Sequence, residues 1–252
     1  MLENLKPIIT DSVSDVFIQR FEELIISGKL SIGQKLPSER DLALQLGISR
    51  PMVHAGLVEL EAKGLVKIKP RSGAVVSDYR REGSLPLLES LLRYSSGTFG
   101  PEILESLLSM RRLFEAETAS LAAINRTDKN LEELESLIDE ESGISVSDID
   151  NIVRLDFSFH LLIAISSGNL IYPLLMNSFK DLYTNLTREF FRDKAVAGFV
   201  FTMHRELFEA VKKCDREVAV NVMARIINHG EEHLKNNPVR EIKKKKKKKG
   251  ES

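Results

Sequence analysis

Between Ser38 and Val76 the apolar period switches from helical to alternating, with a glycine at each break, and few folds accommodate that order. Ser38-Glu39-Arg40-Asp41 reads as a helix start, with Ser38 as N-cap and Asp41 in an acidic first turn that suits the helix dipole. Leu42, Ala43 and Leu46 give this helix an inward face, and Gly47 breaks it. Ser49 caps a further helix running to about Lys63, where Gly64 ends it. Leu65 to Lys69 then alternate, Pro70-Arg71-Ser72-Gly73 turns, and Ala74-Val75-Val76 returns, which is a two-stranded hairpin. Upstream, Val13, Phe17, Phe21 and Ile25 recur every four residues, the stripe of an amphipathic helix that Gly28 closes. Three helices with a hairpin appended predict a winged helix-turn-helix over residues 1–78.

That frame gives its polar residues a direction. On the third helix Val53, Leu57 and Leu60 face the core, while Arg50 and His54 share another face at the end that enters a major groove. An arginine there suits a bidentate bond to guanine O6 and N7. Arg40 could reach a phosphate or a base edge, and the hairpin tip, Arg71 with Gly73, is narrow enough for the minor groove. The expected DNA-facing set is Ser38, Arg40, Ser49, Arg50, Pro51, Met52, His54, Arg71 and Gly73. Basic charge is modest, eleven Lys/Arg against ten Asp/Glu through Arg80. Double-stranded DNA should therefore be held well only by two copies on two half-sites, that is, by a homodimer.

The run from Gly33 to Ala43 (GQKLPSERDLA), then Leu46-Gly47-Ile48-Ser49-Arg50, then Glu61-Ala62-Lys63-Gly64-Leu65-Val66, closely resembles the GntR family of bacterial transcription regulators. The resemblance covers about residues 10 to 78. It implies that the residues matching Arg40, Arg50 and Gly73 contact operator DNA. Two positions depart from the pattern: His54 stands where the family usually has arginine, and Pro51 sits one place earlier than the usual proline.

A chain of 252 residues has room for a second domain. Residues 79–100 read as a linker carrying one apolar turn (Leu87, Leu88, Leu91, Leu92), and helical stripes fill residues 101–236. The fold class is therefore mostly α, a winged helix-turn-helix linked to an all-α bundle. Residues 237–252, with the unbroken run Lys243 to Lys249, read as a disordered lysine-rich tail, since like charges repel. The lone Cys214 excludes a disulfide framework and a cysteine zinc site, and fits a reducing compartment. The chain opens without a signal segment, and its apolar runs are too short to span a bilayer, so a cytoplasmic protein is expected. With 6% aromatics and no Trp, a carbohydrate cleft or a single-strand stacking platform is disfavoured.

Bundles place ligand sites in their cores, so polar residues lying in apolar stripes are the informative ones. Asp156 and His160, four apart, accompany Ile149, Ile152, Phe159 and Ile163, and His204 lies in the stripe of Phe201, Phe208 and Val211. A carboxylate and two imidazoles facing inward suit a divalent ion such as Zn²⁺ or Ni²⁺; a set of hydrogen-bonded core polar groups has the same spacing. This half resembles the FCD-type C-terminal effector domain of the FadR subfamily. The resemblance implies that Asp156, His160 and His204 match three of four metal ligands, with Ile226 at the fourth position; His229 one turn on, water or the effector could fill that place. It also places Arg111 on a helix lining the effector pocket, where it would clamp a carboxylate. An ion pair with Glu115 fits the spacing of Arg111 equally, and Arg112 competes for the role.

The expected function is a ligand-responsive transcription regulator, binding as a homodimer to a pseudo-palindromic operator and answering to a small, anionic metabolite. Two other readings compete. One is a metal-dependent hydrolytic enzyme on the helical half, although no acid/base residue, phosphate cradle or nucleophile motif accompanies the trio. The other is an effector-independent architectural DNA-binding protein that uses the wings and the lysine tail.

Overall fold

The computed structural model describes residues 12–70, 72–94 and 101–236, and the chain divides into two compact units, residues 1–94 and 95–252. Arg71 and the tail at 237–252 lie outside the described residues.

The first unit contains α1 (Val13–Ile26), α2 (Glu39–Leu46), α3 (Arg50–Ala62), β1 (Val66–Lys69), β2 (Gly73–Val76), α4 (Tyr79–Glu82) and α5 (Leu85–Tyr94). Ser12, Ser38 and Ser49 each cap a helix by accepting a bond from a backbone N–H three residues on. Phe17, Phe21, Ile25, Leu42, Val53, Leu57 and Leu60 form one core with Leu65, Val66, Ala74 and Val76 from the hairpin. Val13 departs from the expected stripe: it is 48% exposed, and Ile18 takes the inward place. The α1–α3 contact is close at Gly56, where an added Cβ would lie 2.3 Å from the Phe17 ring.

The hairpin is antiparallel, pairing Val66 with Val76 and Lys69 with Gly73. The segment before α2 pairs with the other edge of β2, through Leu36 N–H to Ala74 O (2.9 Å) and Gly33 N–H to Val76 O (2.8 Å). With both edges of β2 paired, the tip at Gly73 is held in place; its φ of +86° is one that a side chain would strain.

Residues 79–94 are more ordered than a linker. Asp78 caps α4, Ser84 Oγ donates to Ala62 O (3.0 Å), and Leu87 is buried in the core of this unit. Leu87, the first residue of the apolar turn seen in the sequence, thus belongs to the core of the winged unit.

The second unit is all helical among the described residues: α6 (Pro101–Asn125), α7 (Asp128–Gly143), α8 (Ile149–Ser166), α9 (Tyr172–Ser178), α10 (Lys180–Phe190), α11 (Lys194–Lys212) and α12 (Arg216–Asn236). Its α6 packs along α8, α11 and α12, over a core that includes Ala119, Phe159, Ile163, Leu207 and Met223. The stripe from Leu170 to Phe191 reads as one helix in the sequence but breaks at Phe179 without proline or glycine. Ser178 Oγ bonds back to Leu174 O (3.0 Å), a contact that bends helices. No helix among the described residues is long and apolar enough to cross a membrane.

Candidate functional site

The polar face of the winged unit converges on one carboxylate. Glu39, at the start of α2, accepts from Arg50 Nε at Oε2 (3.1 Å) and contacts His54 Nδ1 at Oε1 (2.8 Å). These bonds, that from His54 foremost, hold the Glu39 carboxyl below its ordinary value. Arg50 and His54 are otherwise open to solvent, side chains 71% and 58% exposed. Ser38, Arg40, Ser49 and Pro51 are exposed on the same two helices, while Met52 is half-buried. The hydroxyls of Ser38 and Ser49 are engaged as caps. Glu39 is absent from the set expected from sequence; its only signal there is its place one residue after an N-cap, which reads as dipole compensation.

In the helical unit the sequence-predicted trio comes together. One ligand atom each from Asp156 and His160 on α8 and His204 on α11 lie within 4.8 Å of one another, all three residues buried. Asp156 Oδ1 is 3.7 Å from His204 Nε2 and 4.0 Å from His160 Nε2, too far for hydrogen bonds. Both Nε2 atoms are buried without a hydrogen-bond partner among the described residues.

The opposite ring nitrogens explain the orientation. His204 Nδ1 lies 2.7 Å from Glu141 Oε1, and His160 Nδ1 lies 2.5 Å from Glu115 Oε2. An ionised carboxylate only accepts, so at His204 the proton sits on Nδ1 and the Nε2 lone pair points into the trio. Tyr183 Oη donates to Asp156 Oδ2 (2.9 Å) and fixes the third group. Burial and the neighbouring Asp156 push the Tyr183 phenol well up, so it remains a donor.

Beside the trio is a partly open pocket lined by Arg111, Asp156, His160, Tyr183, Ile226 and Gly230 among others. Arg111 Nε donates to Glu115 Oε1 (2.6 Å), and its guanidinium stacks over the Tyr183 ring at 4.5 Å. Both sequence alternatives for Arg111 therefore coexist: it pairs with Glu115 and also lines the cavity. Burial disfavours its charge, but Glu115 and Tyr183 outweigh that and raise its pKa. Burial likewise opposes ionisation of Glu115, yet Arg111 and His160 lower it to about 2. At His160 burial works against a proton and Glu115 for it, with a net rise. Arg112 is out of contention, engaged by Glu231 and by Glu105 (3.5 Å).

His229 does not join the trio, which corrects the expectation that it stands in for the missing ligand. Its ring packs on Phe199 (4.1 Å between centroids) and Phe190 (5.6 Å). The residue one turn above Ile226 on the cavity side is Gly230, and His229 is one position, or about 100°, away from it.

The chain matches the model of the gntR family of bacterial regulatory proteins over residues 14–76 and that of the FCD domain over residues 106–229. Mce2R, an HTH-type transcriptional regulator of Mycobacterium tuberculosis, is 32% identical over 71% of this chain and 73% of its own length. LutR, an HTH-type transcriptional regulator of Bacillus subtilis, is 32% identical over 75% of this chain and 85% of its own. The chain belongs to the GntR family. It is a transcription regulator with an FCD effector-binding domain, and the enzyme reading falls, because family and relatives are regulators. The solved structure of Lar, described as controlling the Listeria monocytogenes agr system, shares the fold with a TM-score of 0.54. That likeness covers 91% of this chain and 99% of Lar at 16% identity. A helix-turn-helix of this GntR member implies DNA as partner, and its FCD domain implies a small molecule.

Proposed function

We propose that this GntR regulator acts as a homodimer on a pseudo-palindromic operator and responds to a small carboxylate seated in the cavity beside Arg111. The observation that carries this reading is a mostly buried guanidinium lining a partly open pocket next to imidazole nitrogens without hydrogen-bond partners among the described residues. A buried cation with spare donors in a low-dielectric site favours an anion that accepts in pairs. The DNA-facing residues are Arg40, Arg50, His54 and Gly73, with Ser38, Ser49, Pro51 and Met52 at the same helix ends and Arg71 in the wing turn.

A divalent cation, Zn²⁺ or Ni²⁺, belongs in the trio. Asp156 Oδ1 faces both Nε2 atoms beyond hydrogen-bond reach, so a carboxylate and two imidazole nitrogens converge on one point with no hydrogen bond between them. The unpartnered Nε2 atoms supply borderline donors of the right kind. Asp156, His160 and His204 would hold the ion, which would supply a Lewis-acidic position for an effector oxygen. Ile226 offers no fourth ligand. The reading we favour is a winged domain over residues 1–78 extended by α4 and α5, and an effector domain over 101–236, with signal passing between the two. The effector must favour one arrangement of the reading heads, or it regulates nothing.

The test combines elemental analysis with and without a chelator and a thermal-shift screen of small carboxylates. A hit should raise the melting temperature of the wild type and lower its affinity for operator. Arg111→Met should abolish the shift. A carboxylate that binds equally well to Arg111→Met, or that leaves DNA affinity unchanged, contradicts the proposal.

A further inference from the structure

The contact between Glu39 and the two exposed residues of α3 has a consequence for which bases are read. An ionised carboxylate accepts and never donates, so the proton of the His54 ring is on Nδ1, the nitrogen 2.8 Å from Glu39 Oε1. In the neutral ring Nε2 is then a pure acceptor, on a side chain 58% exposed. The charged groups facing it are Glu39 from α2 and Arg50 from α3 itself. We propose that Glu39 is a specificity-determining residue which locks His54 as a hydrogen-bond acceptor, so that each reading head selects adenine N6 or cytosine N4, the exocyclic amino groups of the major groove. The proposal rests on α3 being the DNA-facing helix.

The same carboxylate orders Arg50. With Nε held at 3.1 Å by Glu39 Oε2, the terminal nitrogens remain for an end-on fork to guanine O6 and N7. Arg50 and His54 are four residues apart, about 6 Å along the helix, so their bases fall within about two base pairs of each other. A half-site should therefore place a guanine close to an adenine or cytosine on the edge that His54 faces. An arginine at position 54 would donate instead of accept and prefer guanine there. The departure at position 54 is thus a change of hydrogen-bond sign, and it changes the operator more than the affinity. Glu39 is what makes the sign definite; without it both tautomers of the ring are available.

The experiment is selection of a randomised duplex pool with the full-length protein at pH 8, run for wild type, His54→Arg and Glu39→Gln. Wild type should enrich an inverted repeat with a guanine and, within two base pairs of it, an amino-bearing base. His54→Arg should convert that second position to guanine and leave the other positions as they were. Glu39→Gln, whose amide accepts or donates, should enrich the same repeat with discrimination at that position reduced about tenfold or more. Retention of the remaining positions shows that each variant is folded and bound in register. A second position that is identical in all three selections overturns the proposal while sparing the DNA-binding reading. A wild type that enriches nothing overturns both.

Discussion

Glu115 and Glu141 orient the side chains of the proposed effector site. Each turns a buried histidine so that its outer nitrogen meets Asp156, and Glu115 in addition holds Arg111. Glu141→Gln should weaken divalent-ion affinity about 10- to 100-fold in titration calorimetry, with helix content unchanged, because the amide no longer fixes the ring. Ile226→His should act in the opposite direction, raising affinity by placing a fourth donor on the cavity wall. Acid stability follows from the sign of the Glu115 shift. Its carboxyl is held at about 2 in the fold against an ordinary 4.5, so its stabilisation is present in full above pH 4.5 and is lost toward pH 2. In urea titrations of chelator-treated protein, Glu115→Gln should flatten the loss of stability between pH 5 and pH 3. An identical slope would show that Glu115 carries no such linkage.

At the scale of elements, two kinds of contact decide how the side chains are presented. The α1–α3 packing depends on Gly56 lying under the Phe17 ring, and Gly56→Ala should destabilise the protein by about 1–3 kcal/mol in urea unfolding through overpacking. The wing depends instead on main-chain bonds to the segment before α2, whose extended pairing with β2 leaves no periodic signal. Helix stops and starts were legible because capping is local: Ser38, Ser49 and Gly47 announce α2 and α3 within a few residues. The trio Asp156, His160 and His204 was legible because each is a polar residue in an apolar stripe. Glu141 follows the same rule after Leu134 and Ile138, so the stripe of α7 carries that signal too. Tyr183 is different, because its place depends on the break at Phe179, which only a side-chain-to-backbone bond marks. His229 misleads for a related reason: a helix face repeats at three and at four residues, and sequence alone does not say which of the two continues along the cavity.

The whole molecule combines a winged unit of nearly balanced charge with a buried polar site, to which the proposal assigns a cation at the trio and an anion at Arg111. With eleven Lys/Arg against ten Asp/Glu through Arg80, the winged half has little net attraction for phosphate, and the proposed homodimer would compensate by engaging two half-sites. The most direct measurement is footprinting of wild-type protein on genomic fragments, with and without the carboxylate found by thermal shift. The account predicts protection of a short inverted repeat in the unliganded protein, relieved when the carboxylate is added. Protection no better than on bulk competitor DNA, or a footprint indifferent to a ligand that demonstrably fills the Arg111 cavity, would contradict it.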